Sequence, residues 1–244
     1  MGTSQIDFFI VGAMKSGTTS LRAALGRRSD IDMAKSELHF FDHDGNFAEG
    51  FDAYFENFDM DGDYRLRGEK SPSYSLVATA AERIHAYNPD ARIVWSLRDP
   101  VERAVSNFFH AKKRKPDALS MTAALDRAEE LEAKNHTMAY LFRSQYEKHL
   151  AFYDAVFPPE QMHISIFEEM LEDPDGEIHR LEQFLGYDDH LTRKKMPHRN
   201  KGVEEVMNTY EVTDAERARL KPLLAPTVAA IEARLGRRIP AWHT

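Results

Sequence analysis

Residues 6–28 leave the chain few choices of fold. Residues 6–13 read as an apolar run, interrupted only by Asp7 and with two aromatic side chains, the composition of a strand buried on both faces. The run ends in Gly12-Ala13-Met14-Lys15-Ser16-Gly17-Thr18-Thr19. Leu21, Ala24 and Leu25 then recur at helical spacing as far as Arg28. A strand, a turn bracketed by glycines and a helix, in this order, aim several backbone N–H groups at one point. The first turn of the helix adds the positive end of its dipole. The predicted unit is an anion cradle on a strand that needs helices on both sides of its sheet.

The rest of the chain repeats this alternation. Further buried strands are predicted at 92–97 (RIVWSL) and 162–167 (MHISIF). Helices are predicted over 78–87, 101–113, 121–134, 138–157, 174–185 and 214–235, the second of them opened by Asp99-Pro100. Residues 44–64, acidic and aromatic, read as an amphipathic helix that turns Phe51, Tyr54, Phe55 and Phe58 to the core. The expected class is α/β, with a P-loop-type parallel sheet flanked by helices. With 244 residues, no repeat and no Gly/Ser linker, the chain is expected to form a single domain over 1–244. A content of 42% hydrophobic and 30% charged residues supports a core and excludes disordered and coiled-coil classes. The absence of cysteine excludes disulfides, zinc-thiolate sites, iron–sulfur clusters and a Cys nucleophile.

The turn departs from the Walker pattern G-x-x-x-x-G-K-[ST]. Gly12, Gly17 and Thr19 fit, but Thr18 stands where the Lys belongs, and the lysine of the loop is Lys15. A P-loop nucleotide kinase or NTPase is the alternative reading, and this substitution disfavours it. A net charge of −8 argues against nucleic acid as partner. Two basic islands interrupt the acidic chain, at 98–115 and 193–201, and read as local anion sites or as solvated faces. The N-terminal apolar run is too short to cross a bilayer and no basic region precedes it, so the expectation is a soluble, cytoplasmic chain without membrane contact.

Five segments in order resemble the sulfotransferases that use 3′-phosphoadenosine 5′-phosphosulfate. They are VGAMKSGTTSL, KSELHFFD (35–42), GEKSPSY (68–74), IVWSLRDPVERAVSNFFH (93–110) and HRNKGV (198–203). The Glu-x-His-Phe-Phe pattern is similar to bacterial members and to the glucosaminyl sulfotransferases of heparan sulfate. The resemblance implies that Lys15, Ser16, Gly17, Thr18, Thr19 and Ser20 hold the 5′-phosphosulfate. It implies that Arg98 and Ser106 hold the 3′-phosphate, and that Arg199, Lys201 and Gly202 close over the donor. Glu37 is the implied general base, with Glu69 the second candidate. Lys15 would stand by the leaving oxygen and Lys70 by the transferred group, and His39 would orient Glu37 or touch the acceptor. From residue spacing alone, Lys70 could instead pair with Glu69, and Arg98 with Asp99. Adenosine 3′,5′-bisphosphate is the expected product. The expected acceptor is a carbohydrate or other small molecule bearing a hydroxyl or amine, and no metal is expected. A non-catalytic chain that kept the nucleotide fold is the third alternative. The acidic character of 44–64 sits poorly with a strongly anionic acceptor.

Overall fold

Five short strands hydrogen-bond into one parallel sheet because their residues carry apolar or internally paired side chains on both faces. They are β1 (Phe8–Gly12), β2 (Ile31–Met33), β3 (Leu66–Lys70), β4 (Arg92–Leu97) and β5 (Met162–Ile166). The computed structural model describes residues 5–134, 137–189 and 209–243. Strand order is β2-β3-β1-β4-β5, so β1 is central and the chain moves first to one side of it and then to the other. Phe8 pairs with Gly68 on one side and Arg92 on the other, and Leu97 pairs with Ile166. A reversal of winding direction at a central strand leaves a crevice at the carboxyl ends of the strands, where α/β sheets take their ligands.

Two compact units divide the chain. The first comprises Met1–Leu97 and His149–His198. It holds the sheet together with α1 (Thr18–Leu25), α2 (Asp44–Ala48), α3 (Gly50–Phe55) and α4 (Ala78–Tyr87). Its core joins Phe8, Ile10 and Val94 of the sheet to Leu21, Ala24 and Leu25 of α1 and to Ile178 and Leu181. The second unit comprises Arg98–Lys148 and Arg199–Thr244. It holds α5 (Pro100–Arg114), α6 (Met121–Asp126) and α7 (Ala128–Ala133). The chain continues through α8 (Tyr146–Asp154), α9 (Phe167–Glu172), α10 (Pro174–Phe184) and α11 (Asp214–Leu235). Val101, Ala104, Val105 and Phe108 of α5 pack with Leu220 and Leu224 of α11. Asp99 caps α5 by accepting the Glu102 N–H at 2.8 Å, as the Asp-Pro opening predicts. Among the described residues no helix is long and apolar enough to cross a membrane.

Local pairing explains where the observed elements differ from those expected. The predicted helix at 44–64 is two short helices, broken at Gly50, whose φ is +85°. Tyr54 and Phe58 are buried as expected, while Phe51 and Phe55 are half-buried. Phe40 stacks on Tyr54 at 4.4 Å between ring centroids, and Phe51 stacks on Tyr87 at 4.9 Å. The predicted helix at 121–134 breaks at Arg127. The one at 138–157 is regular α-helix only from Tyr146 to Asp154. There the Tyr140 carbonyl accepts from Arg103 at 2.9 Å and from the Ser144 hydroxyl at 3.0 Å, which diverts it from a helical partner.

Candidate active site

The carboxyl ends of three strands supply the residues. β1 runs into loop 13–17, β2 into loop 34–41, and β3 ends on Lys70. Loop 13–17 enters left-handed backbone twice, at Lys15 (φ +75°) and Gly17 (φ +85°). A Cβ at Gly17 would lie 2.6 Å from the Phe167 ring and 2.7 Å from Met170 Cε, so conformation and space both require glycine. No side chain caps α1. The Gly17 carbonyl takes the N–H groups of Ser20 and Leu21 at 2.8 and 3.2 Å. The Ala13 N–H donates to the Ser96 carbonyl at 2.8 Å, and the Ser96 hydroxyl donates back to the Ser16 carbonyl. The Ser16 hydroxyl is buried and has no hydrogen-bond partner among the described residues. A buried hydroxyl left in that state is costly, and an anion in the loop would give it an acceptor.

Lys70 joins two of the three segments. Its ammonium donates to the Glu37 carboxylate, and it lies 3.5 Å from Thr19 Oγ1 of α1. The Lys70 side chain is 7% exposed and that of Glu37 43%, so the cation sits below and the carboxylate opens outward. His39 faces the same carboxylate, with Nε2 3.8 Å from Glu37 Oε2. The chain is not extended at His39. Its φ is +51°, and a turn in the left-handed region brings the two side chains to one side. His39 Nδ1 lies 2.9 Å from the Ser73 hydroxyl and 3.5 Å from Asp42 Oδ2. Hydrogen bonding to Asp42 raises the His39 pKa. Partial burial opposes it, and the charges of Asp42, Glu37 and Glu69 add to it. Burial alone would raise the Asp42 carboxyl, but hydrogen bonds from His39 and Ser73 outweigh it and hold Asp42 below the usual range.

Glu69 faces the other way, as alternation along a strand requires. It does not pair with Lys70. The carboxylate is wholly buried and accepts three hydroxyl hydrogen bonds of 2.6 Å, from Tyr54, Ser71 and Tyr74. Burial pushes the Glu69 carboxyl up, against the pull of those three donors. Two of the hydroxyls accept in turn. Ser71 Oγ takes the N–H of Leu38 at 3.0 Å and of His39 at 3.4 Å. The Tyr74 oxygen takes the N–H of Phe40 at 2.9 Å and of Phe41 at 3.3 Å. Four successive amides of the loop that carries Glu37 and His39 are therefore tied to one buried carboxylate through two hydroxyls. Arg22 Nε fixes the start of that loop by donating to the Ala34 carbonyl at 3.0 Å, and Asn46 donates to the carbonyls of Leu38 and His39. Sequence reasoning missed Tyr54, Ser71, Ser73 and Tyr74. The available signal was the acidic and basic pair in GEKSPSY, where adjacent strand residues cannot face each other.

The remaining candidates belong to the second unit. Arg98 precedes the α5 cap, and its guanidinium lies 3.8 Å from Glu102. Ser106 is half-buried near the end of the second turn of α5. Arg103, which sequence reasoning passed over, is fully buried and bonds Ser144 Oγ, Asn107 Oδ1 and the Tyr140 carbonyl. Burial brings its pKa down to about 10, and that of Arg143 likewise. Arg199, Lys201 and Gly202 lie outside the described residues.

The profile of the sulfotransferase domain family matches residues 5–212. Human heparan sulfate glucosamine 3-O-sulfotransferase 3B1 is 31% identical over 201 residues, 79% of this chain and 49% of that protein. Mouse heparan sulfate glucosamine 3-O-sulfotransferase 5 is 30% identical over 179 residues, 72% of this chain and 52% of that one. The chain spans about half the length of these curated relatives. The crystal structure of a sulfotransferase from Alicyclobacillus acidocaldarius superposes with a TM-score of 0.82 at 29% identity, covering 99% of this chain and 100% of the other. A sulfotransferase domain from the Synechococcus PCC 7002 olefin synthase shares the fold at 13% identity and a TM-score of 0.53, covering 92% of this chain and 96% of the other.

Proposed function

The chain belongs to the sulfotransferase family, and from that premise we propose that it moves a sulfuryl group from 3′-phosphoadenosine 5′-phosphosulfate to an acceptor hydroxyl or amine. The acceptor is a carbohydrate or other small molecule, and adenosine 3′,5′-bisphosphate is released. The observation that carries this reading is the placement of Lys70 between Thr19 at the anion-type loop and the Glu37 carboxylate. One cation thus borders both a place for the donor anion and a group able to accept the acceptor proton.

In the proposed reaction the acceptor oxygen forms a bond to sulfur as the bond from sulfur to the bridging oxygen of the nucleotide breaks. The electron pair leaves with the nucleotide, and the acceptor proton passes to Glu37. Lys15, Ser16, Gly17, Thr18, Thr19 and Ser20 hold the 5′ end of the donor, the buried Ser16 hydroxyl gaining an acceptor there. Lys70 stabilises charge on the moving group, and His39 orients Glu37. Glu69 is the less suitable base, since its carboxylate is enclosed by three hydroxyl donors. Arg98 and Ser106 are assigned the 3′-phosphate, and Arg199, Lys201 and Gly202 the closing segment, on sequence alone. We also take residues 1–244 to act as a single sulfotransferase domain, since the family match runs through both units.

Single-turnover transfer from radiolabelled donor tests the reading, because it separates chemistry from binding. Glu37→Gln should lower the rate roughly 10²–10⁴-fold while the affinity for adenosine 3′,5′-bisphosphate stays the same. A wild-type rate in Glu37→Gln would remove Glu37 from the chemistry.

A further inference from the structure

A cleft of about 250 Å³ opens beside Glu37, between the loop that carries it and the helices of 44–57. It is smaller than the roughly 300–1,000 Å³ of pockets for drug-sized ligands, so it suits one ring and its substituents. Its polar lining includes Ser36, Glu37, Asn46, Glu49 and Asn57, and among the described residues no Lys, Arg or His lines it.

The hydrogen-bonding character of this lining is one-sided. The Asn46 amide nitrogen is committed to the carbonyls of Leu38 and His39, and that of Asn57 to the carbonyls of Ala53 and Tyr54. What each amide has left to offer is its oxygen, an acceptor. Glu37 and Glu49 are acceptors by nature. Tyr54 also lines the cleft, but its hydroxyl proton goes to Glu69. Only Ser36 can donate as readily as it accepts. Such a wall satisfies hydroxyl and ammonium groups, which bring protons, and leaves sulfates and carboxylates, which bring none, unmatched. The composition of the segment that forms the helical wall has the same sense. From Asp42 to Tyr64 the chain carries eight Asp and Glu residues and no Lys or Arg.

We infer that this cleft receives the acceptor and selects a small polyhydroxylated compound that is uncharged or carries an ammonium group. Polyanions such as heparan sulfate, the acceptor in the names of the curated relatives, are rejected. The inference rests on the reading of Glu37 as the base of sulfuryl transfer. Glu49 acts here as the charge-selecting residue, across the cleft from the chemistry.

Three hexoses that differ in charge test it with the full chain and radiolabelled donor. They are glucosamine below neutral pH, glucose and glucuronate. Glucosamine and glucose should be labelled, and glucuronate should be slower by on the order of tenfold or more, since like-charge juxtaposition is what suppresses wrong partners. Glu49→Lys should reverse the order of glucosamine and glucuronate, and Glu49→Gln should reduce the spread, both with unchanged affinity for adenosine 3′,5′-bisphosphate by calorimetry. Preference for glucuronate in the wild type, an order indifferent to Glu49→Lys, or labelling of none of the three by a chain that binds the nucleotide would overturn the inference. A wild-type chain that fails to bind the nucleotide would overturn the sulfuryl-transfer reading beneath it.

Discussion

Lys70 and Glu69 are neighbours in sequence with opposite surroundings, and strand alternation separates their duties. One meets Glu37 and Thr19, the other three hydroxyls in the core. Glu37, His39 and Lys70 could be picked out of the sequence as candidates because each lies inside a short motif, and the fold brings these three side chains together. The role of Glu69 was not legible, because its partners Tyr54 and Tyr74 come from other segments and only folding brings them together. His39 offers a measurable consequence. Its pKa is raised from an ordinary 6.5, with Asp42 as the leading cause. A raised folded-state pKa contributes stability that is complete below the unfolded value and is lost as pH rises through the folded one. Asp42, held down, contributes stability above its unfolded value that is lost as pH falls through the folded one. The pair therefore supports the fold between those two limits. In an NMR titration of the imidazole, Asp42→Asn should bring the His39 pKa back toward 6.5. An unchanged titration would show that Asp42 does not set it.

At the scale of elements, the loop 34–41 has little regular structure of its own and is positioned by what its amides bond. Tyr74→Phe removes the acceptor of two buried N–H groups, those of Phe40 and Phe41. The expected loss is about 1–3 kcal/mol in denaturant melts, with turnover falling while nucleotide affinity holds. The Tyr54 hydroxyl bonds the same carboxylate but no loop amide, so Tyr54→Phe should affect turnover less. Equal turnover in Tyr74→Phe and wild type would mean that the loop holds its geometry without this link. The elements divided by legibility along physical lines. β1, β4 and β5 are apolar runs and read directly as strands. β2 is three residues long. β3, LRGEK, is fully buried without any apolar run, because Arg67, Glu69 and Lys70 find partners in the fold. Hydrophobic patterning has no means of marking such a strand.

For the whole molecule, an acidic chain of net charge −8 that binds an anionic nucleotide, as proposed, must concentrate its positive potential locally. The loop at α1 and Lys70 do this in the first unit. The second unit holds Arg98 and the buried Arg103 and Arg143. Family membership was legible because five motifs stand in order along the chain, whereas the division into two units was not, since no linker composition marks it. The central claim is that the chain is built for a 3′-phosphorylated adenine nucleotide in sulfuryl transfer. Calorimetric titration in the presence of chelator, with adenosine 3′,5′-bisphosphate set against adenosine 5′-phosphate, tests it most directly. The account predicts saturable binding of the bisphosphate and weaker binding, by roughly 1.5–3 kcal/mol for hydrogen bonds to a charged group, of the nucleotide that lacks the 3′-phosphate. Equal affinity for the two, or tight binding of ATP only when magnesium is supplied, would contradict it.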